Sequence, residues 1–129
     1  MKKRLLCILF SLAFSCFAFA QQIELGTYEG IGKSQGVNCP ARFRFEESGV
    51  AVNYDGLCNC VSLLQATETK MLYREVDVLS SEGSTRDDSC RNRDFVFFTK
   101  KSDGLTASWG DTAEEALANK TPFVFLKTK

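Results

Sequence analysis

Alternation of apolar and polar residues with a period of two runs through most of this chain after its first twenty residues. In residues 39–46, for example, Ala41, Phe43 and Phe45 share one face of an extended segment, and charged residues fall between them. Such alternation is typical of β-strands that bury one face. Eight strands are predicted, over residues 26–33, 39–46, 50–54, 60–65, 71–79, 95–99, 105–109 and 122–126.

Short polar turns join most of these segments, and no long helical crossover separates them. This favours an all-β fold, a small antiparallel up-and-down meander closing into a roughly eight-stranded, lipocalin-like barrel. One short helix is predicted before the last strand, with Asp111 as its N-cap and Glu114 three residues on. The predicted core contains Phe43, Phe45, Val52, Tyr54, Leu63, Phe95, Phe97, Trp109, Phe123 and Phe125.

The first twenty residues have the three-part layout of a signal peptide. Lys2, Lys3 and Arg4 precede an apolar stretch that is too short to span a bilayer. Ala18 and Ala20 then place small residues before a cleavage site. We therefore expect cleavage after Ala20, a periplasmic or secreted location, and a single domain over residues 21–129. A lipoprotein signal ending at Cys16 is the alternative.

Removal of the signal changes the charge of the chain. The whole sequence has 16 basic and 16 acidic residues, and the signal contains three of the basic ones. Thirteen basic and sixteen acidic residues remain, a net charge of −3. No nucleic-acid partner is expected, because such binding depends on clustered Lys and Arg residues. No stable membrane insertion is expected after cleavage either.

Four cysteines remain after cleavage, namely Cys39, Cys58, Cys60 and Cys90. An even number of cysteines in an oxidising compartment predicts two disulfides. Cys58 and Cys60 are two residues apart, and a bridge between them would be strained. We therefore expect each of them to bond elsewhere, one to Cys39 and the other to Cys90. A metal site is not expected, since the chain has no histidine and the cysteines lack the spacing of a zinc site.

The absence of histidine also excludes Ser-His and Cys-His nucleophile pairs. The adjacent carboxylates at 46–47, 87–88 and 114–115 fall in predicted turns, loops or a helix start. Solvation explains their presence there. We predict no catalytic residues, no cofactor and no enzymatic activity.

Two other features are candidates for a polar site. Arg74 and Glu75 interrupt the apolar alternation of their strand. They indicate a two-sided strand with one solvated face, a buried polar pair, a bulge or a ligand contact. Residues 80–93 form the longest predicted loop and contain Cys90. Loops on rigid scaffolds commonly bind partners. The candidate binding residues in this loop are Arg86, Asp87, Asp88, Arg91 and Arg93.

A sparse set of residues extends over nearly the whole chain after the signal. The set comprises Tyr28-x-Gly30-x-Gly32, Tyr54-x-x-Leu57, Cys60-x-x-Leu63, Tyr73-Arg74-Glu75, Cys90, Trp109 and Ala113-x-x-Ala116-Leu117. It resembles a small extracytoplasmic β domain that forms the outer part of some bacterial membrane-anchored serine/threonine kinases. The resemblance implies a non-catalytic domain in which Cys60 pairs with Cys90, leaving Cys39 for Cys58. Val61 and Ser62 depart from it, because the family usually has glycines there.

These observations predict an exported binding domain that recognises a protein or a cell-envelope component. An inhibitor of a hydrolase or an immunity protein would be a special case. The alternative is a lipocalin-like carrier of a small apolar ligand, which would need an apolar internal cavity of at least about 300 Å³.

Overall fold

A computed structural model describes residues 23–55, 59–80, 88–91 and 94–129. The predicted signal peptide and Cys58 lie outside these residues. The strands are β1 Gly26–Ser34, β2 Val37–Glu46, β3 Gly49–Tyr54, β4 Cys60–Ala66, β5 Leu72–Leu79, β6 Phe95–Lys101, β7 Gly104–Gly110 and β8 Phe123–Lys127. A 3₁₀ turn covers Asp88–Cys90, and helix α1 covers Ala113–Ala118. Within the described residues, no helix has the length and apolar character needed to cross a membrane.

The eight strands form one closed antiparallel barrel in sequence order, as the alternation predicted. Two-residue turns join β1 to β2 at Gln35–Gly36, β2 to β3 at Glu47–Ser48, and β6 to β7 at Ser102–Asp103. Gln35 and Gly36 both have positive φ, which is the backbone of the tight hairpin turns that match strand twist. The barrel closes where β1 pairs with β8 over residues 28–30.

The two ends of the barrel differ in their connections. At the turn end lie the hairpins at 47–48 and 102–103, the turn between β4 and β5, and residues 23 and 129. At the loop end lie the β1–β2 hairpin and three longer connections, over residues 55–59, 80–94 and 111–122. Helix α1 and the 3₁₀ turn are both at the loop end.

Aromatic side chains fill the barrel interior. The ring of Phe43 is fully buried, and it packs against Phe98, Trp109 and Phe125 at centroid distances of 4.9, 5.6 and 4.8 Å. Two of these contacts are edge-to-face and the one with Trp109 is stacked, and aromatic pairs of both kinds add about 0.5–1.5 kcal/mol each beyond area burial. Fully buried Leu105, Val52, Val78 and Val96 complete the packing.

The predicted inward face of β6 was wrong. Val96 and Phe98 are buried, whereas Phe95 and Phe97 are half-buried. The β6–β7 turn fixes this phase, because it pairs Val96 with inward-facing Trp109 and Phe98 with inward-facing Ala107. The register of β3 with β4 similarly places Leu64, rather than the predicted Leu63, in the core, because Leu64 lies opposite buried Val50. Phe123 is also only half-buried.

Helix α1 lies before the last strand, as predicted, but its cap is one residue later than expected. Thr112 is the N-cap, and its hydroxyl accepts a hydrogen bond from the Glu115 amide at 3.2 Å. The Glu115 carboxylate in turn accepts one from the Asp111 amide at 2.8 Å. Gly110 allows the helix to pack closely, since a Cβ there would lie 2.5 Å from the Ala116 nitrogen.

The predicted disulfide between Cys60 and Cys90 is confirmed, and both residues are buried. It ties the 3₁₀ turn to the first residue of β4. Cys39 is also disulfide-bonded, and Cys58, its expected partner, lies outside the described residues. A disulfide is typical of an oxidising, extracytoplasmic environment.

Candidate functional site

A solvent-connected cleft of about 390 Å³ lies at the loop end of the barrel. This volume is at the low end of the roughly 300–1,000 Å³ of small-ligand sites. Four separate segments of the chain contribute to its walls. Its lining residues are Lys33, Gln35, Gly36, Arg91, Asp94, Trp109, Gly110, Asp111 and Glu115.

Asp94 and Asp111 meet because of the β6–β7 register. Asp94 immediately precedes β6 and Asp111 immediately follows β7, and the last pair of this hairpin is Phe95 with Gly110. Asp94 and Asp111 are the next residues beyond this pair, so their carboxyl groups lie opposite each other. The Glu75 amide donates to the Asp94 carbonyl at 3.0 Å, which holds this segment against β5.

Burial raises the pKa of Asp94 to about 7, and the negative charges of Asp111 and Glu75 and a hydrogen bond to Asp111 add to the shift. Lys33 acts in the opposite direction but is outweighed. The contact with the Asp111 carboxylate therefore favours the protonated form of Asp94, which donates a hydrogen bond to it. A contact this close differs from the 5–9.5 Å carboxylate separations of glycosidases.

Trp109 forms part of the floor of the cleft. Its indole nitrogen donates a hydrogen bond of 3.0 Å to the Tyr54 hydroxyl in the barrel interior. Burial raises the pKa of Tyr54, so the hydroxyl remains protonated. Gly32 makes room for the indole, because a Cβ there would lie 3.1 Å from Trp109 Cη2. The buried hydrogen bond fixes the ring while its edge faces the cleft.

Arg74 and Glu75 do not form the buried pair considered from the sequence. Glu75 is only 7% exposed and accepts a hydrogen bond from the Ser62 hydroxyl at 3.0 Å, whereas Arg74 is exposed. Neighbouring residues on a strand point to opposite faces, so only one of the two can be inside. The bulge reading of this interruption is confirmed: Leu63 is opposite Asp77 and Leu64 is opposite Glu75, so Val76 is the extra residue.

The predicted binding loop contributes one described side chain to the cleft. Arg91 lines it and forms an ion pair with Asp77 at 3.8 Å. The Ser89 carbonyl accepts a hydrogen bond of 2.6 Å from the Gln35 side chain, which joins this loop to the β1–β2 hairpin. Asp88 begins the 3₁₀ turn, while Arg86, Asp87 and Arg93 lie outside the described residues.

Sequence reasoning missed most of the cleft. Lys33, Gln35, Asp94, Asp111 and Glu115 were not singled out as site residues. The proximity of Asp94 and Asp111 could have been predicted from the sequence, because counting residues outward from the Ser102–Asp103 turn places them opposite each other. No local pattern predicts that Lys33 and Gln35 lie beside them, because that position depends on barrel closure.

The donor set of the described residues does not form a metal site, since no three His, Cys, Asp or Glu side chains among them are grouped to hold an ion. Comparison of the chain with protein-family models, curated proteins and solved structures gives no significant match. The site must therefore be interpreted from its own geometry.

Proposed function

We propose that this protein is an exported, non-catalytic binding domain that recognises another protein or a cell-envelope component through the cleft at the loop end. The observation that carries the proposal is a polar cleft of about 390 Å³ above a filled barrel. The signal-like N-terminus supports a periplasmic or secreted location, and the disulfide suits such a compartment. An inhibitor of a hydrolase or an immunity protein would fit the same description.

The composition of the cleft suits recognition of a polar partner. Basic Lys33 and Arg91 and acidic Asp94, Asp111 and Glu115 face one space, with an indole edge at its floor. Loops supported by a rigid scaffold commonly carry binding residues. The described part of the β5–β6 connection is held by a disulfide and by the Gln35–Ser89 hydrogen bond, so the cleft walls are preorganised.

The carrier alternative needs an apolar cavity inside the barrel. Phe43, Phe98 and Phe125 occupy that position, and each is fully buried. Their mutual ring contacts place side chains along the axis where a lipocalin-like carrier would hold its ligand. The packing of the interior therefore supports the binding-domain proposal over this alternative.

The test is a pull-down from cell-envelope extract. The bait is the protein expressed from its full sequence and purified. Asp111→Lys reverses the charge of an exposed aspartate in the cleft, and Asp103→Lys reverses that of an exposed aspartate in a turn-end hairpin. We expect Asp111→Lys to reduce retention of a specific partner by about tenfold or more, equivalent to about 1.4 kcal/mol, while Asp103→Lys retains it. Equal retention by the two variants would refute recognition at the loop end. Retention of nothing, together with stoichiometric binding of an apolar probe, would favour the carrier.

A further inference from the structure

Strand β8 stops short at the loop end, and its neighbours continue past it. The pairing of β1 with β8 ends at Gly30 and Phe125, and β8 begins at Phe123. The pairing does not extend to Lys33, where the same register would require Pro122 as the partner. Proline has no backbone N–H, so it cannot donate to the Lys33 carbonyl, and it ends the ladder.

The main chain of Lys33 faces this open position. The carbonyl of Thr27 accepts a hydrogen bond of 2.8 Å from Thr128, so residues 27, 29, 31 and 33 direct their main-chain groups towards β8. Residues 28, 30, 32 and 34 direct theirs towards β2. Among the described residues, the N–H and C=O of Lys33 consequently have no strand partner, and they lie at the edge of the cleft.

The cleft also has more acidic than basic side chains. Asp94, Asp111 and Glu115 line it, and of the two basic residues there Arg91 is already paired with Asp77. The raised pKa of Asp94 has the same origin, because burial and neighbouring carboxylates favour its protonated form. A basic group entering the cleft would replace that proton with a fixed positive charge.

We infer that the cleft holds an extended peptide segment that pairs through its main chain with Lys33 and places a lysine or arginine side chain against Asp94 and Asp111. Addition of a peptide to an open strand edge is a common recognition mode, in which main-chain hydrogen bonds give affinity and side-chain contacts give specificity. This inference rests on the proposed function and names the partner class for the same cleft.

The probe is an acetylated and amidated hexapeptide of alternating threonine and valine with a lysine at its third position. Binding is followed by ¹⁵N NMR titration of the purified protein, with the amide of Lys33 as the reporter. We expect saturable shifts at Lys33 and Asp111, and binding about tenfold weaker, or about 1.4 kcal/mol, for the peptide with glutamate in place of lysine. Absence of shifts at these residues, or equal binding of both peptides, would overturn the inference.

Two further arms isolate the main-chain pairing. Lys33→Pro removes the edge N–H. We expect binding of the lysine peptide to be lost in this variant, and binding equal to that of the wild type would contradict the pairing. The peptide N-methylated at alternate residues tests the same bonds without altering the protein, so it decides the matter if Lys33→Pro fails to fold.

The outcomes also separate this inference from the proposed function. If no probe binds but Asp111→Lys still releases the envelope partner, the peptide class is wrong and the cleft remains the recognition site. If Asp111→Lys and Asp103→Lys retain the partner equally, the proposed function itself is wrong.

Discussion

The two ends of this barrel are built from the same eight strands, yet they differ in chemistry. At the turn end, two-residue hairpins close the strand pairs, and the largest buried groups are apolar, such as Phe45 against Tyr28 at 5.5 Å. Towards the loop end, the strands carry a buried glutamate and a tyrosine–tryptophan hydrogen bond, and a carboxyl pair lies in the cleft. Apolar packing and buried polar groups are thus concentrated at different ends.

The largest expected effect is at the turn end. Phe45→Ala should lower the free energy of unfolding by about 3–5 kcal/mol, because it leaves a cavity among Tyr28, Phe43 and Phe98. Phe45→Leu should cost less, and neither change should alter binding at the cleft. Denaturant unfolding measures the loss. Weakened binding under conditions in which the variant is fully folded would contradict the expectation that the turn-end core does not affect the cleft.

The next effect is at the loop end. Replacing Cys60 and Cys90 together by alanine should lower the free energy of unfolding by about 2–4 kcal/mol, since the bridge constrains a long segment of the unfolded chain. Hydrogen exchange should increase first near Gln35 and Arg91, while the hairpin at 47–48 remains protected. Reactive free thiols at these cysteines in the native protein would contradict the prediction, because they would show that the disulfide does not form.

Asp94→Asn tests the carboxyl pair. The pKa of Asp94 in the folded protein, about 7, is above its ordinary value, so its contribution to stability is present at pH 4 and is lost as the pH rises through 7. The variant should therefore become more stable relative to the wild type over this range. The expected difference at pH 8 is about 1–3 kcal/mol, after a discount for the solvent screening of this partly exposed carboxyl group. Unfolding measured from pH 4 to 8 gives the difference.

Asp103→Asn is the matched control for that profile, because Asp103 is an exposed aspartate in a turn-end hairpin. Its difference from the wild type should stay constant across the same pH range. A constant difference for Asp94→Asn as well would show that the carboxyl pair holds no shared proton.

The smallest expected effect concerns the N-cap of helix α1. Thr112→Ala removes the N-cap oxygen that accepts the Glu115 amide, which should cost about 1 kcal/mol. Thr112→Ser keeps that oxygen and should cost less. Thermal unfolding compares the two, and an equal loss in both variants would mean that the cap hydrogen bond contributes nothing.

The strand order was predictable because period-2 alternation and turn residues are local signals. The inward face of β6 was not, because Phe95, Val96, Phe97 and Phe98 are all apolar and alternation gives them no phase. Only the register of the β6–β7 hairpin selects Val96 and Phe98. The extra residue Val76 likewise shifts the phase of β5, so that Glu75 and Val78 both face inward.

The cleft was largely beyond sequence reasoning for a different physical reason. Lys33 and Asp111 are far apart along the chain, and they share a site only because β1 approaches β7 after the barrel closes. Arg91 was anticipated because it lies in the longest connection. The disulfide between Cys60 and Cys90 was anticipated through a family resemblance and is confirmed on its own geometry.

The closure of the barrel near its chain ends has a practical consequence. Lys127 and Glu24 form an ion pair at 2.9 Å, and Thr128 bonds to Thr27, so residues 23 and 129 lie on the side opposite the cleft. A fluorophore, affinity tag or immobilising surface attached beside either residue will orient every molecule with its cleft outward. Sensors and display libraries can therefore use this barrel without a linker crossing the cleft.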